Sequence, residues 1–293
     1  MKHPNPTSHS YFSQRLRLHY ADWGGSGSPP MLLVHGVQDH CRSWDWFAEA
    51  FCDRFHVVAP DLRGHGDSEW VRGSSYHHLD YVYDLDQLVR QRGLAPSVVV
   101  SHSMGGTLAS ILAGVYPDAV TALVIIEGVG LWPGWNGGGD PAARIDEWIR
   151  TTRSLASRLP RRYATLEEAY SRMQQANDHL SPEQARHLTV HGSHRNEDGT
   201  YSWKFDNYTH AWPAYRMPVD DLTALWSRIT CPVLIINGGD GFPHRIGQDG
   251  TLDHFADAEV IDVPGAGHWA HHDEPDAVIE HVEAFLRRRG AFA

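Results

Sequence analysis

Val98-Val-Val-Ser-His-Ser-Met-Gly-Gly106 is the stretch from which the rest of the chain is read. Three consecutive valines predict a buried strand, because β-branched side chains fit a pleated surface. Small and polar residues end the run, and Thr107-Leu-Ala-Ser-Ile-Leu-Ala113 then predicts a helix. Ser103 sits at the corner between them, with a small residue two positions away on each side (Ser101 and Gly105). That is the strand–elbow–helix arrangement that exposes a serine at the top of a sheet. The usual pattern has glycine where this chain has Ser101. Bulk at 101 or 105 is expected to collide with neighbouring backbone. The plain alternative is a serine that caps an ordinary helix.

The surrounding sequence alternates in the same way. Arg15–Tyr20, Met31–Val34, His56–Ala59, Ala122–Ile126, Pro232–Ile236 and Glu259–Val263 predict strands. Trp44–Phe55, Tyr76–Arg92 and Pro275–Arg289 predict helices, the second facing inward through Leu79, Val82, Tyr83, Leu85, Leu88 and Val89. Apolar strands alternating with helices imply a mostly parallel sheet covered on both faces, an α/β fold. The rhythm breaks from 131 to 227, where helical stretches at Ala142–Leu159, Leu166–Ala176 and Pro182–Leu188 occur. A hairpin is expected there around Asn196–Gly199, flanked by Val190 and Tyr201–Trp203, among aromatics that include Trp132 and Trp135. The expected organisation is a core in two parts, 1–130 and 228–293, with a mainly helical cap inserted at 131–227.

The chain has 293 residues, 41% of them hydrophobic, and a formal charge of −11. An acidic balance argues against nucleic acid or an anionic membrane surface as a partner. No apolar run approaches the roughly 20 residues that span a bilayer. Met1–Ser13 lacks the hydrophobic centre of a secretory signal, so a cytoplasmic location is the expectation. Three cysteines suggest no disulfide framework. The doublets His77-His78 and His271-His272 fall in no recognisable ligand spacing, so no metal and no cofactor are expected.

Chemistry is expected beyond the carboxyl ends of the parallel strands. Three such ends qualify. Ser103 follows the valine strand, His268 lies in Gly265-Ala-Gly-His-Trp269 after the last strand, and His35-Gly36-Val37 follows the Met31 strand. A serine hydroxyl needs a base, and neutral imidazole suits that task near pH 7. The amides of Val37 and Met104 are the candidate oxyanion donors.

With these residues in view, the chain resembles the α/β-hydrolase superfamily, in its capped branch of serine hydrolases and esterases. Leu33-Val-His-Gly36, Asp61-Leu-Arg-Gly-His-Gly-Asp-Ser68, Ser101–Gly106, Pro232–Ile236 and Gly265–His268 carry the resemblance and span the core in the family's order. It implies a triad of Ser103, His268 and an acid. The family's usual acid position, three residues after Gly238, is Gly241, which has no carboxylate. Glu127, at the end of the preceding strand as in a few members, and Asp240, one residue early, are the two candidates. Epoxide hydrolases and dehalogenases carry aspartate where this chain has Ser103, which places those activities out of favour. Gly36, Asp39, His40, Trp44 and Trp132 are candidate substrate contacts, although Trp44 serves equally well as core. The expected activity is serine-dependent hydrolysis of a carboxylic ester or lactone through an acyl-enzyme, on a small-molecule substrate that the aromatic cap suggests is bulky and largely apolar. The alternatives are C–C bond hydrolysis on the same fold, or a hydrolase-fold ligand-binding protein with little turnover.

Overall fold

The computed structural model describes residues 5–73, 76–132, 140–241 and 246–291. Its strands are β1 (Thr7–Ser13), β2 (Leu16–Asp22), β3 (Pro30–Val34), β4 (His56–Pro60), β5 (Ser97–His102), β6 (Val120–Ile126), β7 (Ser193–Arg195), β8 (Tyr201–Trp203), β9 (Val233–Gly238) and β10 (Ala258–Val263). The helices are α1 (Asp45–Phe51), α2 (His78–Arg92), α3 (Met104–Val115), α4 (Pro141–Ala156), α5 (Leu166–Ala176), α6 (Pro182–Gly192), α7 (Val219–Trp226), α8 (Ala270–Asp273) and α9 (Pro275–Arg288). None is long and apolar enough to cross a membrane among the described residues.

Eight strands form one sheet in the order β1-β2-β4-β3-β5-β6-β9-β10. The run from β4 to β10 is parallel, and β1 and β2 extend it antiparallel. Period-two alternation sorts each central strand onto two cores. Leu32, Val34, Val99, Leu123 and Ile125 face α2, α3 and α7. Met31, Leu33, Val98, Val100 and Val124 face α1 and α9. Both faces are dry, which is why these strands read as unbroken apolar runs.

Four sequence expectations shift. β1 was not anticipated: it is an edge strand whose side chains are mostly exposed, with Tyr11 and Ser13 turned inward, so no apolar run announces it. The buried face of α2 is Tyr81, Val82, Asp84, Leu85, Leu88 and Val89, while Leu79 and Tyr83 face solvent. Asp84 turns that face, because its carboxylate grips the buried Arg63 guanidinium through Nε at 2.6 Å and Nη2 at 2.8 Å. The hairpin around Asn196–Gly199 forms, but its first arm is β7, and Val190 belongs to α6. Finally, α7 lies inside the 131–227 range yet packs on the core helix α3. The Trp226 indole donates to Ser110 Oγ at 3.1 Å, and a Cβ on Gly114 would meet the Leu225 carbonyl at 2.5 Å.

The part of the insertion that lies over the sheet's carboxyl edge is α5, α6 and the β7–β8 hairpin. Gln184 donates to the His272 carbonyl at 2.6 Å, His40 Nε2 meets the Leu188 carbonyl at 3.2 Å, and the Tyr76 hydroxyl donates to Asp206 at 2.6 Å. These bonds join cap segments to loops of the core.

Candidate active site

The site starts from the elbow at Ser103, whose φ of +52° lies in the left-handed region. Such a conformation costs a non-glycine residue about 1–3 kcal/mol and persists only when its surroundings dictate it. Here they do. The Ser103 amide donates to Ile126 O at 2.9 Å, and its carbonyl accepts from Gly106 N at 2.8 Å. A Cβ on Gly105 would come within 2.4 Å of Val34 O, and one on Gly128 within 2.5 Å of Ser103 O. Ser101 is tolerated because its hydroxyl turns along the sheet and donates to Val124 O at 2.9 Å. The α3 N-terminus begins at the next residue, and Ser103 is left partly exposed.

His268 comes to Ser103 from the far end of the chain, with Nε2 2.9 Å from Oγ. Its loop is fixed on both sides. Gly267 N donates to Asp273 Oδ2 at 2.7 Å, and the His268 carbonyl accepts from His102 Nε2 at 2.8 Å. The other face of the imidazole meets Glu127: Nδ1 lies 3.5 Å from Oε2. Glu127 is 5% exposed, and its second oxygen accepts from Gly238 N at 2.6 Å. Like Ser103 it has a positive φ, +50°. A Cβ on Gly241 would sit 2.9 Å from this carboxylate, so the space beside the usual acid position is filled from the β6 end. Asp240 is exposed, and among the described residues its amide is engaged, donating to Ala266 O at 2.8 Å.

The loop after β3 supplies the third wall. His35 is fully buried and held in one tautomer, its Nδ1–H donating to Gly36 O at 2.6 Å while Nε2 accepts from Leu62 N at 3.0 Å. Burial and the neighbouring His65 lower its pKa to about 3. A Cβ on Gly36 would come within 3.0 Å of Ser103 Cβ, so glycine brings the loop against the elbow. Gln38, the residue after Val37, has a φ of +61°. Among the described residues, the amides of Val37 and Met104 donate to no protein acceptor.

Of the remaining candidates, Asp39 and His40 line a cavity of about 380 Å³ between core and cap. Its apolar wall includes Met173, Leu180, Leu188, Trp203, Phe205 and Trp269. Burial raises the Asp39 pKa to about 7, against the opposing pull of the His40 amide and the Ser43 hydroxyl. Trp44 takes the core position: it is 0% exposed and its ring stacks on His271 at 4.6 Å. Trp132 is half-buried, and Trp135 lies outside the described residues. Sequence reasoning missed the buried imidazoles around the site, His102 and His271, both neutralised by burial first and neighbouring histidines second. His102 was in view as the residue inside the elbow. His271 carried only the doublet, which says nothing about a fold neighbour 169 positions earlier.

Comparison with known proteins agrees with this architecture. Residues 31–281 match the model of the alpha/beta hydrolase family. The chain is 27% identical over 278 residues to sn-1-specific diacylglycerol lipase ABHD11 of Mus musculus, covering 90% of this chain and 82% of that protein. It is 23% identical over 296 residues to epoxide hydrolase 3 of Mus musculus, covering 94% and 75%. In structure it is similar to the thioesterase domain from the curacin biosynthetic pathway, with a TM-score of 0.82, 22% identity and coverage of 95% and 99%. With the eight-stranded sheet, the elbow and the match across the core, the chain belongs to the alpha/beta hydrolase family.

Proposed function

We propose that this protein is a serine hydrolase that cleaves a carboxylic ester or lactone through an acyl-enzyme. The observation that carries the reading is the 2.9 Å approach of His268 Nε2 to Ser103 Oγ at a backbone elbow held at positive φ. Ser103 attacks the carbonyl carbon as its proton passes to His268 Nε2. The tetrahedral oxyanion is received by the Val37 and Met104 amides, which engage no protein acceptor among the described residues and lie on the loop and helix start that flank Ser103. His268 returns the proton to the departing alkoxide. Water then attacks the acyl-enzyme, with His268 as base, and releases the acid. Glu127 holds the Nδ1–H tautomer and balances the imidazolium formed at each step.

The nucleophile distinguishes this chemistry from that of the epoxide hydrolase relatives. A serine alkoxide suits acyl transfer to an electrophilic carbonyl. The cavity of about 380 Å³, walled by Leu180, Leu188, Trp203 and Phe205, supports an apolar substrate.

Hydrolysis of p-nitrophenyl butyrate by wild type, Ser103→Ala, Glu127→Gln and Asp240→Asn tests the reading. Ser103→Ala is expected to lose about 10⁴-fold or more in kcat. Glu127→Gln keeps the shape but not the charge, and is expected to lose roughly 10⁴-fold, with KM little changed. Asp240→Asn should behave as wild type. Full turnover by Ser103→Ala would refute the mechanism, and an inactive Asp240→Asn beside an active Glu127→Gln would move the acid.

A further inference from the structure

Behind the Ser103–His268 pair lies a cluster that the hydrolytic steps do not use. One ligand-capable atom from each of Asp39, His102 and His271 lies within 4.8 Å of the other two. The three residues come from the loop after β3, the end of β5 and α8, and they are 9%, 1% and 4% exposed. Among the described residues, Asp39 Oδ2, His102 Nδ1 and both ring nitrogens of His271 have no hydrogen-bond partner. The Ser43 hydroxyl is near enough to Asp39 to favour its charge, without a hydrogen bond of ordinary geometry. Buried polar atoms are nearly always paired, so several unpaired ones converging on one point call for an occupant.

The tautomer of His102 says what kind of occupant. Its Nε2 faces the His268 carbonyl at 2.8 Å, and a carbonyl oxygen only accepts. Nε2 therefore carries the proton, and Nδ1 of the neutral ring presents a lone pair to the cluster. Metal-ligating histidines are held in this way, with the second nitrogen donating to a carbonyl or carboxylate. The His271 ring is clamped between Trp44 at 4.6 Å and His272 at 4.1 Å. Asp39 supplies a carboxylate and borders the cavity, which gives an entry path.

We propose that Asp39, His102 and His271 bind one divalent transition-metal ion of the zinc type, and that its occupancy inhibits the hydrolytic centre. Two imidazoles and a carboxylate are the donors borderline-soft cations prefer, and three protein ligands leave a fourth position for water. Tetrahedral coordination at zinc distances sets ligands about 3.3 Å apart, a modest closure of the three side chains. The inhibition follows from position. His102 holds the His268 carbonyl, and the two rings are 4.8 Å apart. A cation fixed behind them opposes the positive charge His268 takes up when it accepts the serine proton.

The other histidine-containing clusters are less open to a metal. Asp45, beside His187 and His191, is already gripped by Arg42 through Nε at 2.8 Å and Nη2 at 2.6 Å. Asp61, beside His19 and Cys41, is saturated by protein donors.

Binding of zinc by itself, read by titration calorimetry on the whole chain, tests the proposal independently of turnover. Wild type should bind one ion, His271→Phe should bind at least about 10-fold more weakly, and His187→Phe should bind as wild type. Uninhibited ester hydrolysis should survive His271→Phe, which keeps a ring against Trp44, while its inhibition by zinc is lost. Anomalous diffraction at the zinc edge from wild-type crystals soaked in zinc should place the ion between the three residues, and this decides the matter if His271→Phe does not fold. No binding, unchanged affinity in His271→Phe, or an ion at Asp45, at Asp61 or on His268 with this cluster empty would overturn the proposal.

Discussion

Asp61 and Asp39 are both buried aspartates at the carboxyl edge of the sheet, each beside histidines, yet their surroundings drive them in opposite directions. Burial alone would raise the pKa of Asp61. The bond from His19 Nδ1 at 2.7 Å, the fields of His19 and His35, and the Cys41 amide reverse this, and its pKa falls below the ordinary carboxylate range. The amides of Cys41 and Asp67 donate to it at 2.7 and 2.8 Å, and its backbone carbonyl accepts from Ser68. Asp39 receives one amide, from His40 at 2.8 Å, and its pKa rises to about 7. Burial is common to both, so the number of donors decides. A saturated carboxylate organises a loop, and an under-supplied one is left able to take a proton, a substrate group or a cation.

Acid is the strongest way to separate the two regions. Burial lowers His35 and His272 to about 3, and His40 and His65 to about 4. The unfolded chain takes up these protons near 6.5, while the folded chain resists until pH 3–4. Stability therefore falls as pH drops through that window. Asp39 works the other way between pH 3.8 and 7, as do the raised carboxyls of Asp84 and Asp273, but the lowered histidines, which also include His78, His102, His191, His210 and His271, outnumber them. Asp61 loses its contribution only below the ordinary aspartate range. Calorimetry should show Tm falling steadily from pH 6.5 to 4, and a flat profile would break the contrast.

Substitution comes next in size. Asp61→Ala leaves the His19 imidazole and the amides of Cys41 and Asp67 without their buried acceptor, and should cost about 3–5 kcal/mol in urea unfolding. A loss below 1 kcal/mol would mean the saturated site is not holding its loop. Asp39→Asn should act with the opposite sign. Removing a charge that burial opposes should stabilise the chain by an amount near zero at pH 4 that grows to a plateau above about pH 7. A shift of a few degrees in Tm at pH 8, compared with pH 4, is the check.

The same contrast explains how much of the molecule was legible. The central strands announced themselves because both faces are dry, and the elbow because steric crowding at 105 and 106 admits only glycine-sized residues. β1 was invisible because an edge strand buries little. The face of α2 was misread because apolar periodicity cannot foresee an inward aspartate, and Asp84 turns in to meet Arg63. At the site, Ser103 and His268 were candidates from their loops, and the fold brings their side chains within 2.9 Å of each other. The choice between Glu127 and Asp240 was left open by spacing; of the two, the described residues place Glu127 beside the His268 ring, with Oε2 3.5 Å from Nδ1. The cluster of Asp39, His102 and His271 left no trace in the sequence, since its members are supplied by three separate segments.

The near-contact between Gly241 and the Glu127 carboxylate has a consequence for how this fold can change. A side chain grown at 241 would meet the end of the glutamate already there, which would have to shift and loosen its hold on the Gly238 amide. Moving the acid to 241 is therefore easiest where the side chain at 127 is shortened as well, because the two would share one space. A carboxylate lodged at the β6 end is thus locked in by a hydrogen atom on the opposite loop.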